Sequence, residues 1–193
     1  VVELTHDEAK RAADLIRARN LSVYCFSTGL FSGEIEAGEA EFRRRYLDKI
    51  EHVIKLAKTL QPQMIRLLAA QTSKRKELAD SIGYISENHP WLIPLYAQAI
   101  DRLHDAGFKV TIENEVENCI LSNPKEIVNF FAELNRREGV YLTWDVQNLW
   151  QMGTYPTMEV YHQLKGLIGY YHLKGGQQGT NTVELCWRSA LED

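Results

Sequence analysis

Apolar positions along the chain fall into two patterns, short continuous runs and longer stretches in which they recur every three or four residues. The runs Leu21 to Ser27, Met64 to Ala69, Phe108 to Glu115, Val140 to Asn148 and Ile168 to Lys174 are rich in β-branched and aromatic residues. Such runs read as strands buried on both faces, as in a parallel sheet. Val1 to Leu4 reads as the tail of one more strand. The periodic stretches predict helices. Thr5 and Glu8 stand at capping-box spacing before a helix that runs to about Arg19 and ends at Asn20. Phe42, Tyr46, Ile50, Val53, Ile54, Ala57 and Leu60 form the stripe of one long amphipathic helix from Glu39. Further helices are predicted over Lys74 to Ile85, Trp91 to Ala106 with Gly107 as its stop, Asn123 to about Arg137 with Pro124 at its first position, and Pro156 to Leu167. Thr28 to Gly38 reads as a long βα loop, Gly175 to Gly179 as loop, and Val183 to Leu191 as a short helix.

Strand and helix therefore alternate about six times in one domain spanning the 193 residues. That alternation specifies an α/β protein with a parallel sheet and right-handed crossovers, either a barrel or an open doubly wound sheet. No strand is followed by Gly-x-Gly-x-x-Gly, which weakens the dinucleotide-binding version of the open sheet.

Composition narrows the classes. The chain is 45% hydrophobic and 25% charged, ordinary for a globular domain with one sizeable core. Its net charge of −4 and the lack of any basic block longer than Arg43-Arg44-Arg45 argue against electrostatic capture of nucleic acid. Cys25, Cys119 and Cys186 are widely spaced, as reduced thiols of a cytoplasmic protein would be. No apolar run approaches the roughly 20 residues of a membrane span.

Three strand-like runs carry a metal-ligating side chain near their C-terminal ends: Glu113, Asp145 and His172. In a barrel of parallel strands those ends converge on one site. The plain alternative makes Glu113 and Asp145 helix caps and His172 a satisfied buried histidine. Arg66, a charge within the buried Met64 strand, needs a partner or a polar site.

The succession Ile65-Arg66, Ile112-Glu113-Asn114, Trp144-Asp145-Val146-Gln147-Asn148 and His172-Leu173-Lys174 resembles the xylose isomerase-like TIM barrels over nearly the whole chain. This superfamily groups sugar phosphate isomerases and epimerases, hydroxypyruvate isomerase, inosose dehydratase, ketose 3-epimerases and endonuclease IV. The resemblance implies a (β/α)8-type barrel, incomplete here, with strands two to seven present and the first and eighth missing, since a full barrel takes about 250 residues. It implies one divalent metal ion (Mn²⁺, Mg²⁺, Co²⁺ or Zn²⁺) on Glu113, Asp145 and His172, with the family's second Glu, from strand eight, not found. The implied activity is isomerisation or epimerisation of a small sugar or sugar phosphate through an enediolate, with Glu113 as acid or base. A dehydratase of an inosose or shikimate-type acid on the same site, or a non-catalytic ligand-binding or assembly protein, are the alternatives.

Other residues are assigned around that centre. Glu115 shares the strand face of Glu113 and is a candidate for substrate hydroxyls. Asn148 stands where several family members carry a metal-binding His, which argues against a three-zinc endonuclease site and leaves a substrate hydrogen bonder. Lys174 is a candidate for a phosphate or an enediolate, although Gly175 replaces the Asp that often follows it. Arg66 either binds a substrate anion or pairs with Glu113. Trp144 and Tyr170 read as core, and a homodimer is expected to cover the sheet edges left by absent strands.

Overall fold

The computed structural model describes residues 3–136, 138–174, 176–178 and 183–185, the last two segments as backbone only. Five parallel strands form one sheet in sequence order: β1 (Cys25–Ser27), β2 (Met64–Leu68), β3 (Lys109–Glu113), β4 (Val140–Asp145) and β5 (Ile168–His172). Each joins the next through helices, so the sheet curls as an incomplete barrel. The helices are α1 (His6–Arg17), α2 (Glu39–Arg45), α3 (Ile50–Leu60), α4 (Ser81–Asn88), α5 (Leu92–Asp105), α6 (Pro124–Leu134), α7 (Val146–Gln151) and α8 (Met158–Leu164). The core lies between sheet and helices. Ile65, Leu67, Val110, Ile112, Leu142 and Trp144 point outward into it, against Leu95, Ala99, Leu103, Ile127 and Phe130. The alternate residues Arg66, Thr111, Glu113, Thr143 and Asp145 share the inner face, where the Thr111 and Thr143 hydroxyls meet at 2.6 Å.

Local signals fixed most helix starts. Thr5 and Glu8 form the reciprocal capping box of α1, and Asn123 caps α6 by accepting from Glu126 N with Pro124 in the first turn. Several expected elements differ. The stripe from Glu39 is not one helix: it breaks at Tyr46, whose backbone (φ −121°, ψ −58°) leaves the helical region before a 3-10 turn over Leu47–Lys49. Phe42 and Tyr46 both pack on the Phe31 ring at this break. Lys74 to Ile85 is likewise divided into a 3-10 turn (Arg75–Glu77) and α4, because the Asp80 side chain accepts from Ile82 N and Gly83 N and starts a new helix there.

The Leu21 strand is ordered as strand only from Cys25, and α6 stops at Leu134, where Asn135 takes a left-handed cap (φ 51°). Val140 to Asn148 ends as strand at Asp145, and the last three residues open α7. Glu3 and Leu4 are not strand, and Val1 and Val2 lie outside the described residues. Where a loop and a helix were expected, β6 (Gly176–Gln178) pairs antiparallel with β7 (Val183–Leu185). A Val-Glu-Leu triplet fits a strand's alternation as well as a helix, and cross-strand pairing decides between them. Gly175, Cys186 and the rest of the expected C-terminal helix lie outside the described residues. Among the described residues no helix is long and apolar enough to cross a membrane.

Candidate metal centre

Three neighbouring strands deliver Glu113, Asp145 and His172 to the C-terminal end of the inner face. Glu113 is the last residue of β3 and Asp145 the last of β4; both are buried. His172 ends β5 and needs an irregularity to get there. Leu142 pairs with Ile168, but Thr143 pairs with Tyr170, so the register skips Gly169. This bulge resets the alternation and puts His172 beside Asp145 on the inner face; an unbroken register would have paired Asp145 with Tyr171. Glycine suits the bulge because a Cβ at position 169 would stand 2.6 Å from Tyr141 Cβ.

Ligand atoms of the three residues lie within 4.8 Å of one another. His172 Nδ1 is 2.5 Å from Glu113 Oε1 and 3.6 Å from Asp145 Oδ2. Two carboxylate oxygens and an imidazole nitrogen are a donor set that suits a divalent cation of the Mn²⁺, Mg²⁺, Co²⁺ or Zn²⁺ type. One further observation fits. Asp145 Oδ2 is buried without an aligned hydrogen-bond donor, although the Lys174 ammonium approaches it at 2.5 Å. A divalent ion at the centre would take this oxygen over from the ammonium.

The carboxylates are neutralised by the chain itself. Arg66 Nη1 donates to Glu113 Oε2 at 2.6 Å and Nη2 to the Thr28 carbonyl at 3.1 Å, so Arg66 is paired with the barrel carboxylate. Burial raises the Glu113 carboxyl above its ordinary range; Arg66 and His172 pull it down, and Glu115 adds to the rise. Lys174 spans Asp145 and the Asn148 amide oxygen, the latter at 3.2 Å.

Asn148 is brought to the centre and is bonded there through both its backbone and its side chain. Its backbone N–H donates to Asp145 Oδ1 at 2.9 Å and its amide nitrogen to the Asn114 carbonyl at 3.1 Å. Those bonds tie down the first turn of α7. Glu115 has left the strand: its N–H donates to Cys119 Sγ at 3.4 Å, and its side chain is half-buried next to the centre. Trp144 is core, as read. Tyr170 is not purely core, since its ring lies on the inner face, 5.2 Å from the His172 ring and 5.4 Å from that of Tyr24. Asn114 is the residue the sequence reading passed over. Its side chain bonds both backbone polar groups of Asp145, and only its place after Glu113 hinted at it.

The model of the xylose isomerase-like TIM barrel family matches residues 1–188, and the chain belongs to that family. No curated protein matches the sequence. Among solved structures, it is similar to the probable 3-DHS dehydratase AsbF involved in petrobactin synthesis from Bacillus anthracis (17% identity, TM-score 0.68, covering 89% of this chain and 57% of that one). It is similar to a D-tagatose 3-epimerase-like protein (12% identity, TM-score 0.71, 88% and 62%). It is also similar to a xylose isomerase-like TIM barrel protein from Mycobacterium smegmatis in complex with magnesium (14% identity, TM-score 0.68, 94% and 62%). The chain thus spans less than two-thirds of the length of each, and these likenesses describe the fold.

Proposed function

We propose that the protein is a metal-dependent isomerase or epimerase of a small sugar or sugar phosphate that moves a proton next to a carbonyl. The observation that carries this reading is the convergence of Glu113, Asp145 and His172 from three consecutive strands onto one point. A divalent ion held by these residues would supply Lewis acidity toward a carbonyl and an adjacent hydroxyl. Glu113 is the acid or base: Arg66 holds Oε2, and Oε1 faces His172 Nδ1 at 2.5 Å, at the point where an ion and a substrate would meet. Arg66 fixes the direction of that carboxylate and offsets its charge. Lys174, a third exposed, and the half-buried Glu115 are the candidates for contacts with substrate hydroxyls or a phosphate. Likeness to a probable dehydratase favours a second reading, a lyase, because proton removal next to a carbonyl also begins an elimination.

Incubation of the metal-loaded protein in D₂O with a panel of ketoses, aldoses and their phosphates, beside a shikimate-type keto acid, separates the readings by NMR. Deuterium at the carbon next to the carbonyl, lost in Glu113→Gln, supports the isomerase or epimerase. Net loss of water supports the lyase. Metal and ligand bound with neither outcome would leave a binding protein.

A further inference from the structure

We infer that Asn114 is a positioning residue that aims the Asp145 carboxylate into the centre, its side chain replacing the strand pairing that the backbone gives up after Glu113. Backbone pairing of β3 with β4 ends at Glu113↔Thr143. One residue on, the Asn114 amide reaches across. Its Oδ1 accepts from Asp145 N at 2.9 Å and its Nδ2 donates to Asp145 O at 2.9 Å, with both residues fully buried.

The pairing has a consequence for the carboxylate. The Asn114 carbonyl accepts from Asn148 Nδ2, and Asn148 N donates to Asp145 Oδ1. The backbone N–H, the carbonyl and one carboxylate oxygen of Asp145 are therefore all held by Asn114 or Asn148. Oδ2 alone remains, facing His172 and Lys174. Asparagine is the side chain that fits this place: aspartate lacks the donor, serine is too short to span both groups, and a neutral amide adds no charge to a buried carboxylate pair. Outer partners of this kind commonly change metal affinity by about 10- to 100-fold.

The inference rests on the reading of Glu113, Asp145 and His172 as a metal centre, and its test separates the two. Co²⁺ binding is measured by competition with a chromophoric chelator, and the visible Co²⁺ spectrum recorded, for the wild type, Asn114→Ala and Ser81→Ala. The control loses a different buried hydrogen bond, from Ser81 Oγ to the Ile120 carbonyl, and touches no residue of the centre. Crystal structures of the metal-free wild type and Asn114→Ala are compared as well. The expected result is affinity lower by about 10- to 100-fold and an altered spectrum in Asn114→Ala. Ser81→Ala should keep both, and the metal-free Asn114→Ala should have its Asp145 carboxylate turned from His172. Unchanged affinity together with an unmoved carboxylate would overturn the inference. A wild type that takes no Co²⁺, beside a variant whose carboxylate still turns, would sink the metal reading and leave the positioning role standing. Should Asn114→Ala not fold, Asn114→Ser is read by the same criteria.

Discussion

Glu113 Oε1 and His172 Nδ1 stand 2.5 Å apart, although β4 runs between the strands that carry them. The two side chains lean toward each other over Asp145, so the three donors share one small volume. Removing any one should dissolve the set. The purified protein dialysed against mixed Mn²⁺, Co²⁺, Mg²⁺ and Zn²⁺ is expected to retain near-stoichiometric metal by plasma mass spectrometry, and Asp145→Ala and His172→Ala to retain none. Metal kept in both variants would place it elsewhere.

Lys174 and a cation would compete for the same oxygen. The ammonium lies 2.5 Å from Asp145 Oδ2 and is a third exposed, so solvent screens part of its charge. Lys174→Met should therefore tighten metal binding, on the order of tenfold or about 1.4 kcal/mol, in a calorimetric titration. Weaker binding would mean that the ammonium orients Asp145 instead of opposing the ion.

Removing Arg66 takes the guanidinium from a carboxylate that is 2% exposed and leaves it only the His172 ring as a close partner. Arg66→Met should cost about 3 kcal/mol in denaturant unfolding, most of it recovered in the double variant with Glu113→Gln. Equal stability of the single and double variants would show that the pair is not the source of the loss.

Gly169 makes the bulge that turns His172 inward. In Gly169→Ala the new methyl meets Tyr141 Cβ and Cγ at 2.6 and 2.7 Å, so β5 must shift against β4. Lower thermal stability and metal affinity weakened at least tenfold are the expected outcomes. Unchanged metal binding would show that the bulge is not what holds His172.

Burial pushes the Cys119 thiol up from an ordinary 9.0 to about 12. The unfolded chain ionises at the lower value, so this contribution to stability is complete below pH 9.0 and is lost as pH rises toward about 12. The expected slope is about 1.4 kcal/mol per pH unit across that window. Cys119→Ala, less stable at neutral pH, should show a flatter decline in unfolding measured from pH 8 upward.

Much of this was legible along the chain. Continuous apolar runs located five strands, because a strand covered on both faces has no polar alternation to disguise it. Capping residues placed the starts of α1 and α6, since the bonds that cap a helix are local. Glu113, Asp145 and His172 could be nominated because each stands near the end of such a run. The errors are just as physical. The break at Tyr46 leaves no mark in the spacing of the apolar positions, which continues across it, and β6 pairs with a segment whose pattern also suits a helix.

The sequence by itself determined the succession of the five sheet strands with helical segments between them, the residue type at each strand end and hence the kind of chemistry on offer. Tertiary structure decided the geometry. The skipped Gly169 that chooses the face of His172, the Asn114 amide that holds Asp145, the commitment of Arg66 to Glu113 and the engagement of Asn148 in the scaffold all depend on register and on contacts between separate strands. Spacing along one strand carries no record of the register between two, because register is settled only when their backbones pair.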